Sequence, residues 1–280
     1  MSRVCVVTDS TADIPEPIAA ELGIVVVPCL VHFGQESFLD GVDLSREQFH
    51  ARLASGSVLP TTSPPPVGTF AQVYERLAAR ADAIISVHPA SNLSTLYNAA
   101  RLAAEMVSTA RIRLIDSRQA SMGTGWLAIL AARAAQLGHT VDQITIMLQD
   151  TVPRLRVVAV IDDLRFLHRS GRVSWAQALL GSFLRIKPLI MLKSGQVDLL
   201  EKVRTRPKAI KRLVGITAGL GALQEVAVLH ANALKDAKSA AEMLSANLTQ
   251  TPALVAEAGV TMTTHAGPRA VAFACVLGNG

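Results

Sequence analysis

The feature that most constrains the fold is a regular alternation of apolar, strand-like runs with helical segments over the first 137 residues. The runs are rich in Val and Ile and lie at residues 3–8, 24–31, 83–87 and 113–115. Because polar and apolar residues barely alternate within them, they are typical of strands buried on both faces. The helical segment after residue 44 opens with a capping box, Ser45-Arg46-Glu47-Gln48. This alternation predicts an α/β fold with a parallel-sheet, three-layer domain at the amino terminus.

The pattern changes after about residue 138. Two strand-like runs, residues 186–192 and 197–203, are separated only by Lys193-Ser194-Gly195-Gln196, and such a short Gly-containing connection predicts an antiparallel hairpin. A helix over residues 235–248 and a final strand over residues 271–276 follow. We therefore expect a parallel α/β domain over residues 1–152 and a second, mixed-sheet α/β domain over residues 153–280.

Composition excludes several classes of protein. Half of the 280 residues are hydrophobic but only 4% are aromatic, so the core must be aliphatic. This argues against disorder and against the aromatic platforms that bind single-stranded nucleic acid, so no nucleic-acid partner is expected. Three separated cysteines in apolar runs predict free thiols rather than a disulfide framework. No signal peptide or membrane span is visible, so we expect a cytoplasmic protein.

Motifs for conventional catalysis are weak. The sequence Gly123-Thr124-Gly125-Trp126-Leu127-Ala128 fits the dinucleotide fingerprint formally, but seven residues separate it from the preceding strand-like run. We interpret the match as either chance or a sign of tight helix packing. The sequence lacks a phosphate loop, the zinc motifs and the nucleophile elbow of hydrolases. We therefore predict no catalytic residue, no resident metal and no cofactor.

Two hydroxyl-rich segments are the better candidates for a site. Thr61-Thr62-Ser63-Pro64-Pro65 is predicted to open one helix, and Ser91-Asn92-Leu93-Ser94 follows a strand and opens another. Loops that follow strands meet at the carboxyl edge of a parallel sheet, where ligands bind. Free N–H groups at helix starts, together with Ser and Thr hydroxyls, would hold a carboxylate or phosphate. The alternative is that these hydroxyls only cap their own helices.

Basic residues form a second group of candidates. Arg165, His168, Arg169 and Arg172 surround Ser170-Gly171, and such a cluster is either a solvated face or a docking surface. His265 is predicted to lie in a loop, Thr264-His265-Ala266-Gly267-Pro268, where it is either a structural residue or part of a site.

Several short motifs, in order along the chain, resemble those of the DegV family of bacterial fatty-acid-binding proteins, which includes the lipid carriers of fatty acid kinase. Thr8-Asp9-Ser10-Thr11-Ala12-Asp13-Ile14-Pro15 resembles the opening motif of the family, and Thr62-Ser63-Pro64-Pro65 resembles T-S-Q-P. Leu93-Ser94-Thr95-Leu96-Tyr97 is similar to L-S-G-T-Y, and Ser170-Gly171-Arg172-Val173-Ser174 to G-G-R-I-S. His265-Ala266-Gly267-Pro268-Arg269 is similar to H-T-G-P-G.

The resemblance implies one long-chain fatty acid, such as palmitate, bound between the two domains. Thr62 and Ser94 match the family residues that hold the carboxylate, and Ser63 and His265 are expected beside them. Arg172 is expected on a docking face for a fatty acid kinase subunit. Besides the fatty acid and the kinase, a transient membrane contact is the third expected partner.

Four departures from the family motifs leave parts of this interpretation open. Pro64 replaces Gln, Thr95 and Leu96 replace Gly and Thr, and Arg269 replaces Gly. The first three would reshape the carboxylate end, and Arg269 adds a cation after the histidine. A second function class is also kept: an enzyme that acts on a small phosphorylated metabolite at the same two loops.

Overall fold

The computed structural model describes residues 3–56, 58–176, 186–245 and 252–278. Its first half contains a four-stranded, fully parallel sheet with the order β2-β1-β6-β7. The strands are β1 (Val4–Asp9), β2 (Val25–Val27), β6 (Ala83–His88) and β7 (Arg111–Asp116). Helices α3 (Val67–Ala78) and α4 (Leu96–Glu105) cover one face, and α5 (Met122–Gln136) and α6 (Val141–Thr151) cover the other. The predicted parallel, three-layer architecture is confirmed.

A small antiparallel sheet, which the sequence did not predict, stands beside the parallel one. It consists of β3 (Leu30–Phe33), β4 (Glu36–Leu39) and β5 (Thr61–Ser63), with β3 in the centre. The prediction of a single strand over residues 24–31 is wrong, because the chain leaves the parallel sheet at Pro28, which has no N–H to donate. The prediction of Thr61–Ser63 as a loop that opens a helix is also wrong, since α3 begins only at Val67.

The second half forms a six-stranded mixed sheet with the order β10-β9-β8-β13-β11-β12. Its strands are β8 (Leu155–Val160), β9 (Lys187–Lys193), β10 (Gln196–Val203), β11 (Leu223–His230), β12 (Leu254–Glu257) and β13 (Val271–Leu277). Only the β11–β12 pair is parallel. The predicted hairpin is confirmed as β9–β10, with a tighter turn than expected. Ser194 and Gly195 both have positive φ, 50° and 82°, as a two-residue hairpin turn requires.

The two faces of this mixed sheet pack against different partners. Side chains alternate between faces along each strand, so Val158 and Val160 of β8 pack against α8 (Arg206–Ala218) and α9 (Leu234–Ser245). The helix predicted over residues 235–248 is α9, and the end of that prediction lies outside the described residues. Val157 and Ala159 point the opposite way, Val157 toward α5 of the first half and Ala159 toward residues 164–176. One face of the sheet therefore lies toward the site described below.

Helix α5 is sandwiched between the two sheets. A Cβ atom on Gly123 would lie 2.8 Å from Cγ2 of Val157, and one on Gly125 would lie 2.6 Å from the carbonyl oxygen of Ala12. The indole Nε1 of Trp126 donates to the carbonyl of Ala274 in β13 at 3.0 Å. The interpretation of these glycines as tight packing, rather than as a dinucleotide fingerprint, is confirmed.

Short helices complete the chain: α1 (Glu16–Leu22), α2 (Arg46–Ala54), α7 (Leu164–Arg169) and α10 (Val260–Ala266). The predicted capping box of α2 is confirmed, because Gln48 N donates to Ser45 Oγ and Ser45 N donates to Gln48 Oε1. Helix α10 was not predicted, and the expectation that His265 lies in a loop is wrong, since it belongs to the last turn of α10. None of the helices in the described ranges combines the length and the hydrophobicity that a membrane-spanning segment requires.

Candidate functional site

A cavity of about 280 Å³ lies where the two halves of the chain meet. Much of its wall is the inward face of the six-stranded sheet, with apolar side chains from five of its strands. Examples are Val157, Ala159, Ile190, Leu192, Leu229 and Ala272. Its size is close to the lower end of the range for small-molecule sites, and such sites are mostly apolar with a few polar groups. A ligand bound here would have a largely hydrocarbon body.

One end of the cavity, the outer site, is formed by Thr62, Ser94, His265 and Arg172. Thr62 lies on β5, Ser94 lies just before α4, and His265 lies in the last turn of α10. Arg172 follows α7 and is exposed to solvent while it also lines the cavity. The structure thus brings together at one opening four residues that the sequence placed far apart.

Thr62 and His265 are joined directly. The Oγ1 atom of Thr62 lies 2.8 Å from Nε2 of His265, a hydrogen bond between the two halves of the chain. Burial, helped by the nearby charge of Arg172, lowers the pKa of His265 to about 3. The imidazole is therefore neutral near pH 7, and the outer site carries its positive charge on Arg172.

The other two predicted hydroxyls have different surroundings. Ser94 Oγ accepts from the backbone N–H of Leu96 at 3.3 Å, as expected for a residue at a helix start. Ser63 lines the cavity, but its hydroxyl also lies 2.8 Å from Nε2 of His32. Thr62 lies five residues before α3, so the predicted meeting of two helix starts is wrong. The hydroxyl of Thr62 is positioned by strand pairing instead, opposite Val31 of β3.

Arg172 connects the two halves of the chain at the opening. Its Nε donates to the carbonyl of Leu93 at 3.2 Å, and its Nη1 donates to the carbonyl of Ser170 at 2.6 Å. Partial burial lowers the pKa of Arg172 from its usual value. Among the described residues no carboxylate pairs with it, whereas the neighbouring Arg165 pairs with Asp163. The expected docking role of Arg172 stays a prediction.

The four departures from the family motifs separate into two groups. Pro64, Thr95 and Leu96 all line the cavity near the outer site. Arg269 does not line it, and its Nε lies 3.6 Å from Oδ2 of Asp162. The φ of Arg269 is 63°, in the left-handed region that glycine adopts readily, which explains why the family motif has Gly there.

A second polar group, the inner cluster, lines the buried part of the same cavity. It consists of Asp13, Ser121, His230, Thr261 and Thr263, each less than a tenth exposed. The Ser121 hydroxyl donates to Asp13, and the backbone N–H of Gly259 donates to Asp13 Oδ1 at 2.7 Å. Burial raises the pKa of Asp13 to about 7.

Sequence reasoning missed the inner cluster. Asp13 belongs to the opening motif, and Thr261 and Thr263 belong to the threonine-rich run before His265. Both motifs were visible in the sequence. However, 246 residues separate Asp13 from Gly259, and the structure joins them by a hydrogen bond. Local pattern gives no indication that they meet.

A buried chain of hydrogen bonds resembles a hydrolase triad but contributes none of its own side chains to the cavity wall, which it adjoins through Thr11, a lining residue whose backbone N–H donates to Asp9 Oδ1 at 3.0 Å. Asp9 Oδ2 lies 2.7 Å from His88 Nδ1, and Ser86 Oγ lies 2.8 Å from His88 Nε2 and from the Tyr74 hydroxyl. These side chains have no exposed surface, and Ser86 does not line the cavity, so the chain ties β1 to β6 and α3. The described residues also contain no cluster of three or more His, Cys, Asp or Glu that would hold a metal ion.

Comparison with known proteins gives a consistent result. The family model described as "Uncharacterised protein, DegV family" matches residues 3–277. A DegV domain-containing protein of Caldanaerobacter subterraneus subsp. tengcongensis is 35% identical over 273 residues, which cover 96% of this chain and 97% of that protein.

Two solved structures are similar over nearly the whole chain. DegV of Bacillus subtilis, described as a fatty acid binding protein, has a TM-score of 0.89 at 32% identity and covers 99% of this chain and 100% of its own. A DegV family protein from Thermus thermophilus, described under the words "fatty acid binding", has a TM-score of 0.90 at 28% identity and covers 98% and 99%.

Proposed function

The chain belongs to the DegV family, and from that premise we propose that it binds one long-chain fatty acid, such as palmitate, between residues 1–152 and residues 153–280. The observation that carries the proposal is the apolar cavity at this junction, which opens at the outer site. Two structural relatives at 28% and 32% identity are described as binding fatty acids. We propose a non-catalytic carrier that uses no cofactor.

The apolar wall supplies the affinity for the acyl chain. Burying one methylene contributes about 0.8 kcal/mol, so a dozen contribute roughly 10 kcal/mol before the cost of ordering the ligand. A small phosphorylated metabolite has no hydrocarbon body to place against Val157, Ile190 and Leu192. The cavity therefore favours the fatty acid over the second function class.

The outer site supplies the partners of the carboxylate. An unpaired carboxylate would cost several kcal/mol to bury, so the head group needs donors where the cavity opens. Thr62, Ser63 and Ser94 offer hydroxyls, and Arg172 offers the balancing charge. When Nε2 of His265 donates to Thr62, the Thr62 hydroxyl is left free to donate to the carboxylate. His265 thus acts through Thr62 as a neutral donor.

The exposed position of the outer site suits delivery of the carboxylate to a second protein. We propose that a separate fatty acid kinase receives the head group there, with Arg172 on the docking face, and that the acid is loaded during transient contact with a membrane. The embedded hydrocarbon would stay in the cavity while the carboxylate reacts.

Native mass spectrometry of the protein purified from cells tests the function. We expect a bound mass equal to that of a long-chain fatty acid, which is lost on delipidation and restored by palmitate. A bound phosphorylated metabolite would contradict the proposal, and so would a delipidated, folded protein that does not take up palmitate. Adding a fatty acid kinase and ATP to the loaded protein then tests presentation, with acyl phosphate as the expected product.

A further inference from the structure

The inner cluster contains more hydrogen-bonding capacity than the protein itself uses. Nδ1 of His230 accepts from the backbone N–H of Ala233 at 3.4 Å, so the neutral ring carries its proton on Nε2. Within residues 3–56, 58–176, 186–245 and 252–278, Nε2 has no partner. The hydroxyls of Thr261 and Thr263 are also buried without a partner in the same ranges.

This surplus is confined to three side chains. Asp13 and Ser121 satisfy each other, and Gly259 satisfies the second oxygen of Asp13. On the same helix, Thr264 Oγ1 donates to the carbonyl of Val260 at 2.9 Å. The unpaired groups are therefore one imidazole N–H and two hydroxyls, all on residues that line the acyl cavity.

A plain hydrocarbon chain would leave these groups unpaired. A buried donor or acceptor without a partner costs about 1–3 kcal/mol. An oxygen substituent on the chain would remove part of this cost, because it accepts from the imidazole N–H. A hydroxyl substituent would in addition donate to a threonine oxygen.

We propose that the inner cluster recognises an oxygen substituent on the acyl chain, so that the preferred ligands of this protein are fatty acids with a hydroxyl in the carboxyl half of the chain. The proposal rests on the fatty-acid-binding function proposed above and specifies its ligand class. The recognising groups are Nε2 of His230 and the hydroxyls of Thr261 and Thr263.

The position of the substituent follows from α10. On this helix Thr261 lies four residues before His265, and Thr263 lies two residues before it. At 1.5 Å per residue, about 3 to 6 Å of helix axis separates these two hydroxyl-bearing residues from His265. A carboxylate held at the outer site therefore places the carboxyl half of a long acyl chain, rather than its methyl end, beside the inner cluster.

The test compares stearate with a series of monohydroxystearates that carry the hydroxyl at successive positions. Affinities are measured by titration calorimetry on delipidated full-length protein. We expect a hydroxystearate with its hydroxyl in the carboxyl half of the chain to bind at least tenfold more tightly than stearate, and an ω-hydroxy acid to gain less. Equal or weaker binding of every hydroxystearate would overturn the proposal while leaving fatty-acid binding intact. Failure of all the acids, stearate included, would overturn both.

Variants test whether the inner cluster causes the preference for hydroxystearate over stearate. Thr261→Val combined with Thr263→Val removes both hydroxyls at nearly constant volume, and we expect the preference to fall to about threefold or less. Thr264→Val is the matched control, because its hydroxyl is satisfied within the helix and lies outside the cavity. It should keep the full preference. If the double variant does not fold, His230→Gln replaces it, and an unchanged preference in the folded variant would contradict the assignment.

Discussion

The outer site and the inner cluster line one cavity and meet opposite ends of the same short helix, yet their environments differ. His265, at the carboxyl end of α10, lies beside an exposed cation, whereas the amino end meets the buried carboxyl of Asp13. Burial lowers the pKa of the base to about 3 and raises that of the acid to about 7. Burial in the same cavity thus favours the neutral form of both groups.

This comparison explains how the cavity selects one anion at one end. With His265 neutral, Arg172 supplies the positive charge of the outer site. With a pKa of about 7, Asp13 is largely protonated below pH 7, which limits the negative charge beside the acyl chain. Charge complementarity therefore directs a carboxylate to the outer site, and hydrogen bonding without charge remains for the inner cluster.

The largest expected effect is the loss of head-group binding in the double variant Thr62→Val, Ser94→Ala. Each hydrogen bond to a charged group contributes about 1.5–3 kcal/mol, so palmitate affinity should fall at least about 100-fold. Titration calorimetry measures the loss, with thermal unfolding to confirm the fold. Thr145→Val is a suitable control, because its hydroxyl donates to the carbonyl of Val141 within α6. If the double variant binds palmitate within a few fold of the wild-type affinity, the outer site does not hold the carboxylate.

The next expected effect is on the pH dependence of stability, in which Asp13 and His265, at the two ends of α10, should act in opposite directions. The folded pKa of Asp13 is raised from 3.8 to about 7, so the folded state holds its proton more tightly than the unfolded state. Wild-type stability therefore falls as pH rises from about 4 to about 7, by roughly 3–4 kcal/mol. Asp13→Asn does not titrate. Its free energy of unfolding should rise by this amount relative to the wild type over the same range.

Urea denaturation at several pH values measures the difference between Asp13→Asn and the wild type. The charged groups that influence Asp13 are Asp40, which opposes its ionisation, and Arg46, which favours it. Both are present in both proteins, so their own titration largely cancels in the difference. If the difference in the free energy of unfolding stays constant from pH 4 to pH 7, the pKa of Asp13 is not raised in the folded state.

His265 should give the opposite pH dependence, with a somewhat smaller effect. Its folded pKa is lowered from 6.5 to about 3, so the unfolded state binds the proton more tightly. Wild-type stability is then lost as pH falls from about 6.5 toward 3, and about 3 kcal/mol should be lost by pH 4. His265→Gln, which cannot titrate, should gain on the wild type toward acid pH in urea denaturation. If His265→Gln instead gains stability relative to the wild type toward alkaline pH, the pKa of His265 is not lowered in the folded state.

Sequence reasoning predicted the parts of the fold that depend on local pattern. The parallel strands follow from Val-rich runs between helices, the β9–β10 hairpin from its short turn, and α2 from its capping box. The glycines of α5 were interpreted correctly because their spacing from the preceding strand excluded a nucleotide fingerprint. Each of these features is encoded within about ten residues.

Sequence reasoning failed where distant segments decide the structure. Residues 61–63 form a strand because β3 offers a pairing edge, not because of their own composition. The amino end of α10 is capped from the first half of the chain, since Asp40 accepts from the N–H groups of Val260 and Thr261. The inner cluster likewise depends on contact between these two distant segments, because Gly259 N–H donates to Asp13. The candidate residues Thr62, Ser94 and His265 nevertheless line one cavity, and their roles there are what the variants above would establish.

The smallest expected effect on lipid affinity concerns Arg172. Its side chain is partly buried but still reaches solvent, so solvent and salt screen its attraction for a bound carboxylate, and Arg172→Gln should weaken palmitate binding by less than about tenfold. Charge at a rim acts mainly on encounter, so association with a fatty acid kinase should slow more and lose much of its dependence on salt. Arg165→Gln is the control, because the charge of Arg165 is already paired with Asp163. Calorimetry with palmitate and stopped-flow association with the kinase separate the two roles. A loss of palmitate affinity near 100-fold would make Arg172 a direct ligand of the carboxylate and would contradict its assignment to the docking face.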